Sequence, residues 1–187
     1  MGPDVIESNA VLIVVGAHLR AEEADRPLGY ELKRRIEAWR DKHLGQLTVP
    51  LGAIVCSDLW YLNDVELQKR PTVCIGGPGV NALTAVSMQQ IAGEAAQAAA
   101  QQSEDDDEPS ETPSQTPAAG GIDPAGYVPA QPVGKVTMMI DPDYTHLRVV
   151  IWGTDHDLTA KGVNLFCDRY LDGYLRACVT QVEPQTD

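Results

Sequence analysis

The run VLIVV at residues 11–15 constrains the fold more than any other feature of the chain. A strand with one wet face alternates apolar and polar side chains. An unbroken β-branched run is instead the pattern of a strand covered on both faces, which occurs in parallel sheets flanked by helices. We read 11–19 (VLIVVGAHL) as such a strand, 51–61 (LGAIVCSDLWY) as a second and 72–77 (TVCIGG) as a third. Between the first two, Leu28, Leu32, Ile36 and Trp39 form one stripe at helical spacing, with Lys33, Arg34, Arg35, Arg40 and Lys42 around it. This predicts a helix over 28–43, with Pro27 suited to its first turn and His43 a favourable charge at its end. An Ala/Gln-rich stretch of strong helix formers predicts another from about Gly79 to Gln102.

Later in the chain, KVTMMID (135–141) and HLRVVIWG (146–153) flank the short connection Pro142-Asp143-Tyr144-Thr145, which implies a hairpin and an antiparallel pair. Val163, Phe166, Cys167, Tyr170, Leu171, Tyr174, Leu175 and Cys178 then mark one wide apolar stripe on a last helix, capped by Asp155 or Asp157. The order β-α-β-β-α-β-β-α predicts an α/β fold, a Rossmann-like three-layer sandwich with a mainly parallel, mixed sheet. The link 62–71 is too short for a full crossover helix, which leaves the strand order partly open.

Charge sets one segment apart. The chain carries 14 Lys+Arg against 27 Asp+Glu, yet no basic residue lies between Arg70 and Lys135. Eight acids fall in 93–134, and without them 19 acids face 14 bases, an ordinary balance for a soluble domain. Residues 103–132 hold six of the thirteen prolines along with Ser, Thr, Gly and the DDDE run, and contain little to bury. We expect a disordered acidic insertion within a single domain spanning 8–181, because lengthening a loop adds only slowly to the entropy of closure. A net charge of −13 argues against a nucleic-acid partner. No apolar run reaches the ~18–20 residues of a membrane span, and acidic Asp4 and Glu7 stand where a signal peptide would be cationic. Cys56, Cys74, Cys167 and Cys178 sit in apolar runs without a CxxC pair, which points to buried free thiols and a cytoplasmic location rather than structural zinc.

Ligands of open parallel sheets bind beyond the carboxyl ends of the strands. Those ends deliver His18, Asp58, the turn Gly76-Gly77-Pro78-Gly79-Val80-Asn81, and Gly153-Thr154-Asp155-His156-Asp157. The candidate catalytic residues are His18, Asp58, Asp155 and His156. Gly76, Gly77, Gly79, Asn81 and Thr154 are candidate ligand contacts, since a glycine turn lets backbone amides approach an anion at a helix start. The same turn also reads as a tight strand-to-helix connection in which Asn81 caps the helix. Asp155, His156 and Asp157 are candidate metal ligands, or capping residues with an exposed histidine. Cys56 beside Ser57 is a candidate nucleophile needing His18 or His156 as base, or simply core. Trp60 and Tyr61 either stack on a ligand or cover the sheet. Asp141, Asp143 and His146 lie at the hairpin turn, at the opposite end of the sheet.

The strand followed by GGPGVNALTA, and the later Gly153-Thr154-Asp155 with Thr159-Ala160-Lys161-Gly162 beyond it, resemble the small α/β segments of archaeal S-layer and related envelope proteins. Those segments carry a GGP-x-x-N turn and a later Ala-Gly turn followed by Thr and Ala, where this chain has Trp152-Gly153. The likeness covers about 72–92 and 146–175. It implies the same α/β fold and structural roles for both turns. The leading expectation is a non-enzymatic module that contacts another protein or itself, with no cofactor. The alternative is a sensor or enzyme for a nucleotide or phosphate ligand at Gly76–Asn81, and a third reading is a metal-dependent hydrolase.

Overall fold

Every residue of β1 (Ala10–Val15) is buried, the environment its unbroken aliphatic run demands. In the computed structural model, which describes residues 9–47, 51–102, 136–141 and 143–182, β1 pairs in parallel with β2 (Gly52–Ser57) on one side and β3 (Thr72–Ile75) on the other. A hairpin supplies β4 (Val136–Met139) and β5 (Arg148–Gly153), which pair antiparallel, and β5 runs parallel to β3. The sheet order is β2-β1-β3-β5-β4. The expected mixed, mainly parallel sheet is present, and its order is now fixed.

Successive side chains point to opposite faces, so each strand feeds two cores. Val11, Ile13, Val15, Val73, Ile75, Val149 and Ile151 meet α1 (Leu19–His43), α5 (His156–Arg169) and α6 (Leu171–Val182). Leu12, Val14, Cys56, Cys74 and Val150 meet α2 (Asp58–Asn63), α3 (Val65–Gln68) and α4 (Ala82–Gln102) through Tyr61, Leu67 and Leu83. Helices on both faces make the three-layer α/β sandwich. Phe166 and Tyr174 are fully buried and meet edge to face, so the apolar stripe of 163–178 does anchor one layer. It does so on two helices that divide at Tyr170 rather than on one.

Several element boundaries differ from the sequence expectation; the first strand, read over 11–19, ends at Val15. The first helix starts nine residues before Leu28, at Leu19, and Pro27 lies inside it. Proline forfeits the bond to the Glu23 carbonyl, but both residues lie on the exposed face, where water replaces the missing donor. The salt bridge between Glu22 and Arg26 and the cap at His18 support the added turns. The second strand ends at Ser57 rather than at Tyr61, because the Ser57 hydroxyl accepts the Trp60 amide and starts α2. The short link to β3 thus contains two small helices that cover the sheet.

Among the described residues no helix is long and apolar enough to cross a membrane. The four cysteines are free, three of them buried and Cys167 half-buried. The expected insertion at 103–132 lies outside the described residues, as does residue 8, the first of the expected span 8–181.

Candidate functional site

Strand order locates the crevice. From β1 the chain goes to β2 on one side, then returns past β1 to β3 on the other. The connections leaving β1 and β3 therefore diverge, and the gap between their carboxyl ends is the place where such sheets receive ligands. Gly16 follows β1 there, and Gly76 follows β3.

The two strand ends are held together closely. A Cβ on Gly16 would lie 1.8 Å from the Val80 carbonyl oxygen, so only glycine lets the turn after β3 cross here. Asn81 is 1% exposed and uses both ends of its amide. Its Nδ2 donates to the carbonyls of Ile75 (2.9 Å) and Val14 (3.3 Å), joining the tips of β3 and β1. Its Oδ1 accepts from the amides of Leu83 (3.0 Å) and Thr84 (3.4 Å), capping α4. Asp58 is equally committed. Oδ1 accepts from the amides of Ala17 (2.9 Å) and Leu59 (2.8 Å), and Oδ2 from that of Ala82 (2.7 Å). One carboxylate thus ties the ends of β1 and β2 to the start of α4.

These bonds decide what the glycine turn can do. An anion at the start of α4 would need the amides of Ala82, Leu83 and Thr84, and the chain's own Asp58 and Asn81 already take them. Gly76 has a φ of 110°, its amide donates to the Ile151 carbonyl (3.0 Å), and its carbonyl accepts from Thr84 Oγ1 (2.7 Å). Gly77 lies against the Trp152 indole, and Gly79 has open space around it.

The remaining candidates occupy the rim. His18 is the N-cap of α1, its Nδ1 accepting the Arg20 amide at 3.2 Å. Asp155 is the N-cap of α5, accepting the Leu158 amide at 2.9 Å. Thr154, His156 and Asp157 are exposed beside it. Among the described residues no three His, Cys, Asp or Glu side chains are gathered closely enough to hold a metal ion. Cys56 lies in the core, and burial pushes its thiol up to about 11, the reverse of what a nucleophile needs. Tyr61 is buried against the sheet while Trp60 stays exposed. At the far end of the sheet Asp141 closes the hairpin loop, accepting from the amides of Asp143 (3.1 Å) and His146 (2.8 Å).

The structure adds one residue that the sequence reading missed. Asp25 is 6% exposed and stands in the buried stripe of α1, between Ala21 and Gly29. Its Oδ2 lies 2.6 Å from where a Cβ on Gly76 would be, so glycine at that position makes room for the carboxyl. Among the described residues it has no hydrogen bond or ion pair. Burial raises its pKa, and the nearby charge of His156 pulls it partly back. The spacing Ala21, Asp25, Gly29, Leu32, Ile36 is a regular helical stripe that would have exposed this aspartate had the helix been started at Leu19.

The crevice is therefore a lip of clamped strand ends, holding one carboxyl that has no protein partner among the described residues and rimmed by capping residues. Comparisons of the chain with protein-family models, with curated proteins and with solved structures found no match.

Proposed function

We propose that this chain is a non-enzymatic α/β module that works through contact with another protein or with a second copy of itself. One observation carries this reading. His18, Asp58, Asn81 and Asp155, the polar groups best placed for chemistry at the sheet edge, each spend their side chains on backbone amides that would otherwise be orphaned. A group used in this way serves the fold.

Apolar side chains at the same end of the sheet support the contact role. Leu19 opens α1 just after β1, and Leu59 and Trp60 open α2 just after β2; they are 72%, 57% and 45% exposed. On this reading the turns that resemble S-layer segments serve the fold. Four free cysteines suit a reducing cytoplasm.

A thermal-shift screen with nucleotides, phosphosugars and divalent metals tests the proposal, and the melting point should stay where it is. Ligand at 100 times its dissociation constant would stabilise by about 2.7 kcal/mol, which such a screen detects readily. A shift with one of these probes that Gly77→Val abolishes would overturn the reading. Light scattering on the full chain then distinguishes a second copy from a different protein as the partner.

A further inference from the structure

The unpaired carboxyl in the crevice has no structural task. Asp58 holds three backbone amides and Asp155 holds one, whereas Asp25 holds none among the described residues. It takes a place in the stripe of α1 where its neighbours are Ala21, Gly29, Leu32 and Ile36, and where an apolar side chain would pack without a desolvation cost. A residue that breaks the local rule of its own helix face without gaining a partner marks a functional position more often than a structural one.

Its surroundings define what it can receive. The backbone of Gly76 beside it is fully used, the amide by Ile151 and the carbonyl by Thr84. The carboxyl therefore offers its acceptor oxygens to something outside the fold. An anion is excluded by the negative charge that Asp25 and Asp58 bring to the crevice and by the occupied amides of α4. A metal ion lacks further ligands among the described residues. What remains is a donor of several hydrogen bonds carrying positive charge.

We propose that Asp25, in the crevice between the ends of β1 and β3, is the recognition group of a binding site for an ammonium or guanidinium group. The cation takes the acceptors that the fold leaves open, and a charge-assisted bond offsets the burial of the carboxylate. His156, exposed at the first turn of α5, stands near enough to influence the carboxyl and forms the rim that the ligand passes. The site does not depend on whether Leu19, Leu59 and Trp60 contact a partner. The cation can belong to a free small amine or to a Lys or Arg side chain of a partner protein.

Thermal shift and calorimetric titration of the full chain test the site, with n-butylammonium chloride, methylguanidinium chloride and an end-blocked lysine tripeptide as probes. Sodium chloride at matched ionic strength is the control. Wild type should gain stability with at least one probe beyond the salt control, and affinity should rise with pH as the carboxyl ionises. Asp25→Asn keeps the shape of the side chain, should fold with an unchanged circular dichroism spectrum, and should lose at least ten-fold in affinity. Binding of the small ions marks a free amine as the source, and binding of the tripeptide alone marks a protein side chain. Equal shifts in wild type and Asp25→Asn, or no shift with any probe, would overturn the proposal.

Discussion

Replacing Asp58 with asparagine separates a structural carboxylate from a catalytic one, and its cost can be worked out from the three bonds that Asp58 accepts. The carboxylate is 4% exposed, and its acceptors face Ala17 and Leu59 on one oxygen and Ala82 on the other. Asparagine has one oxygen and one NH2 in the same shape. With the oxygen toward Ala17 and Leu59, the NH2 faces the Ala82 amide across 2.7 Å, donor against donor. With the amide turned round, two amides are orphaned instead of one. The better orientation loses one charge-assisted bond, about 1.5–3 kcal/mol, and weakens two more by about half when the charge is removed. The sum is about 3–6 kcal/mol, a large share of the ~5–15 kcal/mol that holds a typical domain. At about 2–4 °C per kcal/mol for a chain of this length, the melting point should fall by about 10 °C. Urea unfolding followed by fluorescence of the three tryptophans measures it, with calorimetry as the check. A catalytic carboxylate behaves in the opposite way, since its replacement often leaves stability unchanged or raised. Asp58→Asn within about 0.5 kcal/mol of wild type would refute the clamp.

Three more outcomes can be measured. Burial raises the pKa of Asp25 above its ordinary 3.8, so the native state holds that proton more tightly than the unfolded chain. Its contribution to stability is present below pH 3.8 and is lost as the pH rises through the raised value. Asp25→Asn should remove that decline, so that wild-type and variant unfolding curves diverge with rising pH; curves that stay parallel would count against an unpaired carboxyl. Gly16→Ala sets its methyl against the Val80 carbonyl and should abolish soluble folded protein, whereas Gly79→Ala, with nothing within 4 Å, should fall within about 0.5 kcal/mol of wild type. Burial pushes Cys56 and Cys167 up to about 11 and Cys74 and Cys178 to about 12, so a disulfide reagent at pH 8 should label the native protein slowly, half-buried Cys167 first, and all four thiols promptly in denaturant. Rapid native labelling of Cys74 would show that its core opens.

The sheet was the most legible part of the chain because β-branched runs report burial directly. VLIVV, TVCI and RVVI each became a strand, and β4 and β5 pair antiparallel as expected. Helix starts were less legible. Pro27 suits the first turn of a helix over 28–43, but Pro27 and Glu23, whose carbonyl it frees, lie on the exposed face, so the rule against proline in a helix has little force there. The strand over 51–61 was overextended because Leu59, Trp60 and Tyr61 are as apolar as the strand before them, and only the cap at Ser57 marks the change. Asn81 was legible as a cap; its second task of joining Val14 to Ile75 depends on strand order, which the short 62–71 link left open. Asp25 was hidden for the same reason as the helix start, since an aspartate among Glu22, Glu23 and Arg26 looks solvated until the register is known.

The paired clamps of Asp58 and Asn81 bear on how fast anything can enter and leave. A mouth framed by hinged loops admits a guest and then shuts, and the shutting appears in kinetics as a lag and a slow second phase. Here the frame is fastened before any guest arrives, so capture should be a single step that selects by fit on first encounter. Residence time would then depend on the guest's own bonds and not on a door that must swing open.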